Sequence, residues 1–194
     1  MRRLTLVVFL ALSFTAGCGL LADSNGESKQ LPGPAWTGES NEGMSQAEAE
    51  AFTNFALYWW GPSFAGFNLQ AILGTPDQVT FIYGRCTIPR GRDGGCASPL
   101  TIMVQPLCAL APQVARGAYP GPEETLRDGA LVFRRDIPER HEATAMFWTG
   151  DAMVRVHVGR APQLFEEALE AIRGLNRPIG VGDALPAPEF ERCS

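Results

Sequence analysis

Lysine is almost missing from this chain: Lys29 is the single one, and arginine supplies the rest of the basic charge. The 16 basic residues stand against 21 acids, for a formal charge of −5. A nucleic-acid binder needs a basic footprint that displaces counterions from phosphates, so no nucleic-acid partner is expected. Histidine occurs twice, at His141 and His157, too few for a His₃ metal site. There is no Cys-x-x-Cys pair, which argues against thiol redox chemistry and against zinc sites built on close cysteine pairs. A Gly-x-Ser-x-Gly elbow, a P-loop and a dinucleotide glycine fingerprint are likewise missing. No catalytic residue, metal or cofactor is therefore assigned. Arginine in place of lysine, with 21 glycines and 15 prolines, is a composition typical of GC-rich genomes and says nothing of function.

What the chain does have begins at its start. Arg2 and Arg3 precede an apolar stretch, Leu4 to Ala16, of 13 residues. A bilayer-spanning helix needs roughly 20, whereas a signal-peptide core needs roughly 7 to 15. Small residues then precede Cys18. The order reads as a secretory signal over residues 1–17. Taking its two arginines from the 16 basic residues leaves 14 against 21 acids, a mature charge of −7.

Thr15-Ala16-Gly17-Cys18 resembles the lipobox of bacterial lipoproteins. The resemblance implies cleavage before Cys18, a diacylglyceryl group on its sulfur, and a membrane partner reached through that lipid. Thr15 stands where the family usually has Leu, and Gly19 stands where an Asp would hold a Gram-negative lipoprotein at the inner membrane. The implied location is the extracytoplasmic face of a bacterial cell membrane; an ordinary secretory signal, with release of the protein, is the alternative. Residues 18–44 are polar and rich in Gly, Ser and Asn, and read as a flexible tether.

Four cysteines remain: Cys86, Cys96, Cys108 and Cys193. An even number in an exported chain suggests two disulfides. If Val79–Arg85 and Leu100–Gln105 form a hairpin, Cys108 lies about 23 Å from Cys86 at ~3.3 Å per residue. A bridge needs Cα atoms within about 7 Å. Cys86–Cys96 is favoured, which leaves Cys108–Cys193 to pin the Pro-rich tail.

Residues 45–194 read as one globular domain. Ser45 to Glu48 is a capping box, and a helix is expected from Gln46 to about Leu57. Strands are expected at 79–85, 100–105, 130–133, 143–148 and 153–158, the last two joined by the turn Thr149-Gly150-Asp151. In the fifth, Val154, Val156 and Val158 share one face, and Met153, Arg155 and His157 the other. Pro162 opens a helix with an apolar stripe from Leu164 to Leu175, whose Glu166, Glu167 and Glu170 face solvent. The expected fold is α+β: a twisted antiparallel sheet of about five strands with helices packed on one face.

Three segments are candidates for function. The aromatic passage Tyr58, Trp59, Trp60, Phe64 and Phe67 is either core packing or a ligand surface for a sensor or carrier. His141 and His157 are the candidate bases of a hydrolase reading. The glycine-rich basic segment Arg90 to Gly95 reads as a hairpin tip. The pattern Tyr58-Trp59-x-Gly61, Phe64-x-Gly66, Phe81-x-Tyr83-Gly84-x-Cys86, Gly95-Cys96 and Pro99-Leu100 resembles uncharacterised exported proteins of GC-rich Gram-positive bacteria. That resemblance spans about residues 58–108 and implies no activity. The expected role is a non-catalytic binding or accessory module; an extracytoplasmic hydrolase and a small-ligand sensor or carrier are the alternatives.

Overall fold

Val79, Phe81 and Tyr83 alternate with Thr80 and Ile82, so a strand here sends three large apolar side chains to one side. In the computed structural model, which describes residues 42–85, 98–159 and 161–193, all three are buried. This strand, Gln78–Tyr83, is β5. Before it come β1 (Glu42–Gly43), β2 (Tyr58–Trp59), β3 (Ser63–Phe64) and β4 (Phe67–Thr75). After it come β6 (Leu100–Pro106), β7 (Glu124–Leu126), β8 (Ala130–Ile137), β9 (Glu142–Thr149), β10 (Ala152–Gly159) and β11 (Arg173–Gly174). The helices are α1 (Gln46–Glu50), α2 (Pro112–Ala118) and α3 (Phe165–Glu170).

The fold is α+β with one large antiparallel sheet. Eight strands run in the order β1-β4-β5-β6-β10-β9-β8-β7, and β3 adds to β4 as a short hairpin. The five expected strands are present as β5, β6, β8, β9 and β10, but the sheet is wider than the expected five. The register lines up the inward residues in rows. Phe81 pairs with Ile102, Ile102 with Val156, and Val156 with Ala145. Val79 pairs with Val104, Val104 with Val154, and Val154 with Phe147. These residues form the main core with Ala49 of α1 and Ala168 and Leu169 of α3.

Helices on one face alone is corrected. The second face carries its own cluster, in which Ala115 of α2 and Tyr119 just beyond it pack on Phe133, Met146, Trp148 and Met153. The sheet is thus covered by helix on both sides across β8, β9 and β10.

The first helix is also shorter than expected. Its capping box forms as read: Glu48 N donates to Ser45 Oγ at 3.2 Å, and Ser45 N donates to Glu48 Oε2 at 2.8 Å. It stops at Glu50 rather than Leu57 because other groups take the backbone beyond it. Leu57 N donates to Asn176 Oδ1 at 2.7 Å, and Ala56 N to Asp151 Oδ1 at 2.9 Å. The last helix is a 3₁₀ turn, Pro162–Leu164, followed by α3. It ends five residues early because Arg173 and Gly174 pair as β11 with Trp59 and Tyr58.

Candidate functional site

The aromatic passage belongs to the core. Tyr58, Trp59, Trp60 and Phe64 are all buried, and Phe67 is half-buried. Trp60 stacks on Phe64 and leans on Tyr83, each at 5.0 Å between ring centroids. The last carbonyls of a helix have no partner within it; the Trp60 indole N–H satisfies that of Ala168 at 2.7 Å. Tyr83 Oη accepts the Trp60 amide at 3.1 Å and donates to Gly61 O at 2.9 Å. Burial pushes the phenols of Tyr58 and Tyr83 up from their ordinary range. Gly61 has φ +94°, and a Cβ there would lie 1.6 Å from the Arg173 guanidinium, which sits over the Trp59 ring. Of the two readings of residues 58–67, the burial is that of core packing: these rings fill space between sheet and helices, where large apolar area is most strongly driven from water. Tyr58 and Phe67 do border surface hollows of 410 and 510 Å³.

Cys108 and Cys193 are joined in a disulfide. Both are exposed, and the bridge lines a hollow of 520 Å³ beside α2. It fixes the Pro-rich tail, which also docks by its backbone. Leu185 is buried and its N–H donates to Arg127 O; Thr149 Oγ1 donates to Pro186 O at 2.7 Å; Glu189 N donates to Gly150 O. Arg127 donates to the carbonyls of Ile172, Gly180 and Asp183. A Cβ on Gly129 would lie 1.6 Å from the Leu185 carbonyl oxygen, so the tail rests directly on backbone there. The Cys86–Cys96 bridge, the Arg90–Gly95 tip and Cys18 lie outside the described residues.

The two histidines are apart in role. His141 sits exposed in the turn between β8 and β9 with φ 53°. His157 is half-buried on the second face, 3.4 Å from Thr144 Oγ1 through Nδ1. Burial holds its imidazole below the ordinary range, against a smaller opposite pull from Glu142. Among the described residues neither histidine hydrogen-bonds a serine or cysteine side chain, and no three His, Cys, Asp or Glu side chains there gather to hold a metal.

The second face of the sheet divides in two. The half under α2 is dry. The other half, over β5, β6 and the start of their pairing with β10, presents Ile82 and Met103 beside Thr80, Thr101, Arg155 and His157, all half-buried and outside both core clusters. The strand alternation predicts Arg155 and His157 on this side. Arg135 and Tyr119 join them only in the folded chain, because β8 runs past Phe133 to Ile137 and α2 delivers Tyr119 across the sheet.

No family model, no curated protein and no solved structure matches this chain. Its function is therefore argued from its own residues.

Proposed function

We propose that this chain is an exported, lipid-anchored bacterial protein whose folded domain acts as a non-catalytic binding or accessory module outside the membrane. The observation that carries export is the Cys108–Cys193 bridge, with both cysteines at the surface. Exposed disulfides persist in oxidising compartments and are reduced in the cytosol. The lipobox-like Thr15-Ala16-Gly17-Cys18 supports the anchor, and the polar stretch behind it would give the domain reach. A binding role rests on the half of the second face that no described helix covers, where apolar and hydrogen-bonding side chains alternate at partial exposure.

The anchor is tested by expressing the full chain in a bacterium that processes lipoproteins and separating membranes from medium. The wild type is expected in the membrane fraction, and Cys18→Ala outside it. Equal partition of both would overturn the anchor.

A further inference from the structure

The half of the second face that no described helix covers ends at two cations, Arg155 and Arg135, with Glu142 the acid nearby on the same face. Thr101 of β6 pairs with His157 of β10, His157 with Thr144 of β9, and Thr144 with Arg135 of β8. Arg155 lies two residues before His157 and so shares its face. By strand spacing the Cα atoms of Arg155 and Arg135 are about 12 Å apart, a gap two extended arginines close from either side. Tyr119 lies close enough to both that the charge of each guanidinium acts on its phenol, against the upward push of burial.

Five other arginines are held by partners, while Arg85 and Arg140, like Arg155 and Arg135, have no ion pair among the described residues. Arg116, Arg134, Arg177 and Arg192 each have a carboxylate within 4 Å. Arg127 is held by three backbone carbonyls. Arg155 and Arg135 have neither among the described residues. The Arg155 Nε is in addition buried without a hydrogen-bond partner. An orphaned buried donor is costly unless something supplies the acceptor. Two like charges converging on one phenol, in a chain of net charge −5, point the same way. Arginine forks match carboxylate and phosphate oxygens in pairs.

We propose that Arg155, Arg135 and Tyr119 form a binding site for an oxyanion group, phosphate or carboxylate, with Thr144 and His157 as neutral hydrogen-bonding neighbours. The proposal names the ligand chemistry of the binding module inferred above and rests on that reading for its biological role. Binding and lipid anchoring can nonetheless fail separately, because the test below does not depend on the anchor.

The chain has three tyrosines, and Tyr58 and Tyr83 belong to the main core on the opposite side of the sheet. Full chain carrying ¹³C-labelled tyrosine is titrated with inorganic phosphate and, separately, with acetate, at ionic strength held constant with sodium chloride. A saturable shift confined to Tyr119 is expected with at least one anion. The tighter of the two identifies a phosphate-bearing or a carboxylate-bearing ligand. Arg135→Gln, at an exposed position where folding is safe, is expected to weaken binding about tenfold or more, and Arg155→Lys severalfold. Arg177→Gln, which removes a cation paired with Asp151 away from this face, is expected to change it less than twofold. No saturable shift with either anion, equal movement of all three tyrosines, or unchanged affinity in Arg135→Gln and Arg155→Lys would overturn the site.

Discussion

Asn176 reaches back 119 residues to Leu57 and replaces a helix. Its Oδ1 accepts the Leu57 amide at 2.7 Å, while its Nδ2 donates to Phe52 O at 2.7 Å and Phe55 O at 3.0 Å. One side chain thus satisfies three backbone groups that would otherwise need helical partners. The segment it frees delivers Phe55, Leu57, Trp59 and Trp60 to the core. Asn176→Ala leaves those groups part-buried and unpaired, at about 1–3 kcal/mol for an unsatisfied group. The expected loss is about 2–3 kcal/mol of stability, read from urea unfolding; a loss below 0.5 kcal/mol, on the order of a neutral surface change, would contradict the clamp.

The core assignment of the aromatic passage separates stability from binding. Trp60→Ala removes a buried indole and its bond to Ala168 O, for an expected cost of about 3–5 kcal/mol. A ring on a ligand surface would instead leave the unfolding midpoint nearly unchanged.

The disulfide carries a separate expectation. Its cysteines are 85 residues apart, a long loop in the chain-entropy model, and removing a native bridge typically costs about 2–5 kcal/mol. Cys108→Ser together with Cys193→Ser should destabilise within that range. The tail keeps its backbone hydrogen bonds to Arg127 and Gly150, so hydrogen exchange is expected to quicken first at Leu185 and Glu189 and only later in β10. Uniform quickening across the sheet would show that the tail has no independent hold.

His157 sets a pH dependence whose sign is fixed by burial. Its folded pKa lies below the ordinary 6.5, so between the two values the unfolded chain binds the extra proton. Stability from this group is therefore complete above about pH 6.5 and falls as pH drops through the folded pKa. Glu142 opposes the shift from β9; Arg155 and Arg135 are the cations on the same face. Unfolding measured from pH 7.5 to 5 should show a shallower decline in His157→Gln than in wild type. An identical slope would contradict a neutral buried imidazole.

Much of the sheet is legible in the residue pattern, and the exceptions have physical causes. β5 and β6 alternate cleanly because one face is buried and the other half-exposed, whereas β8, β9 and β10 include stretches buried on both faces and read as short apolar runs. β4 does not alternate, since a register shift between Leu69 and Ala71 breaks the period of two and leaves Ala71, Ile72 and Leu73 as an unbroken apolar run. α1 is overestimated because the partner that ends it, Asn176, is far away in sequence. Of the second face, Arg155 and His157 follow from alternation alone. Arg135 is hidden by the length of β8, and Tyr119 by α2, a short helix without a capping side chain.

The proposed lipid anchor rests on Cys18, and intact-mass and peptide mass spectrometry of the full chain taken from membranes tests it most directly. The expected first residue is Cys18, carrying a diacylglyceryl group on its sulfur. An N-terminal peptide with unmodified Cys18, or a chain cut at another position, would contradict the lipid anchor.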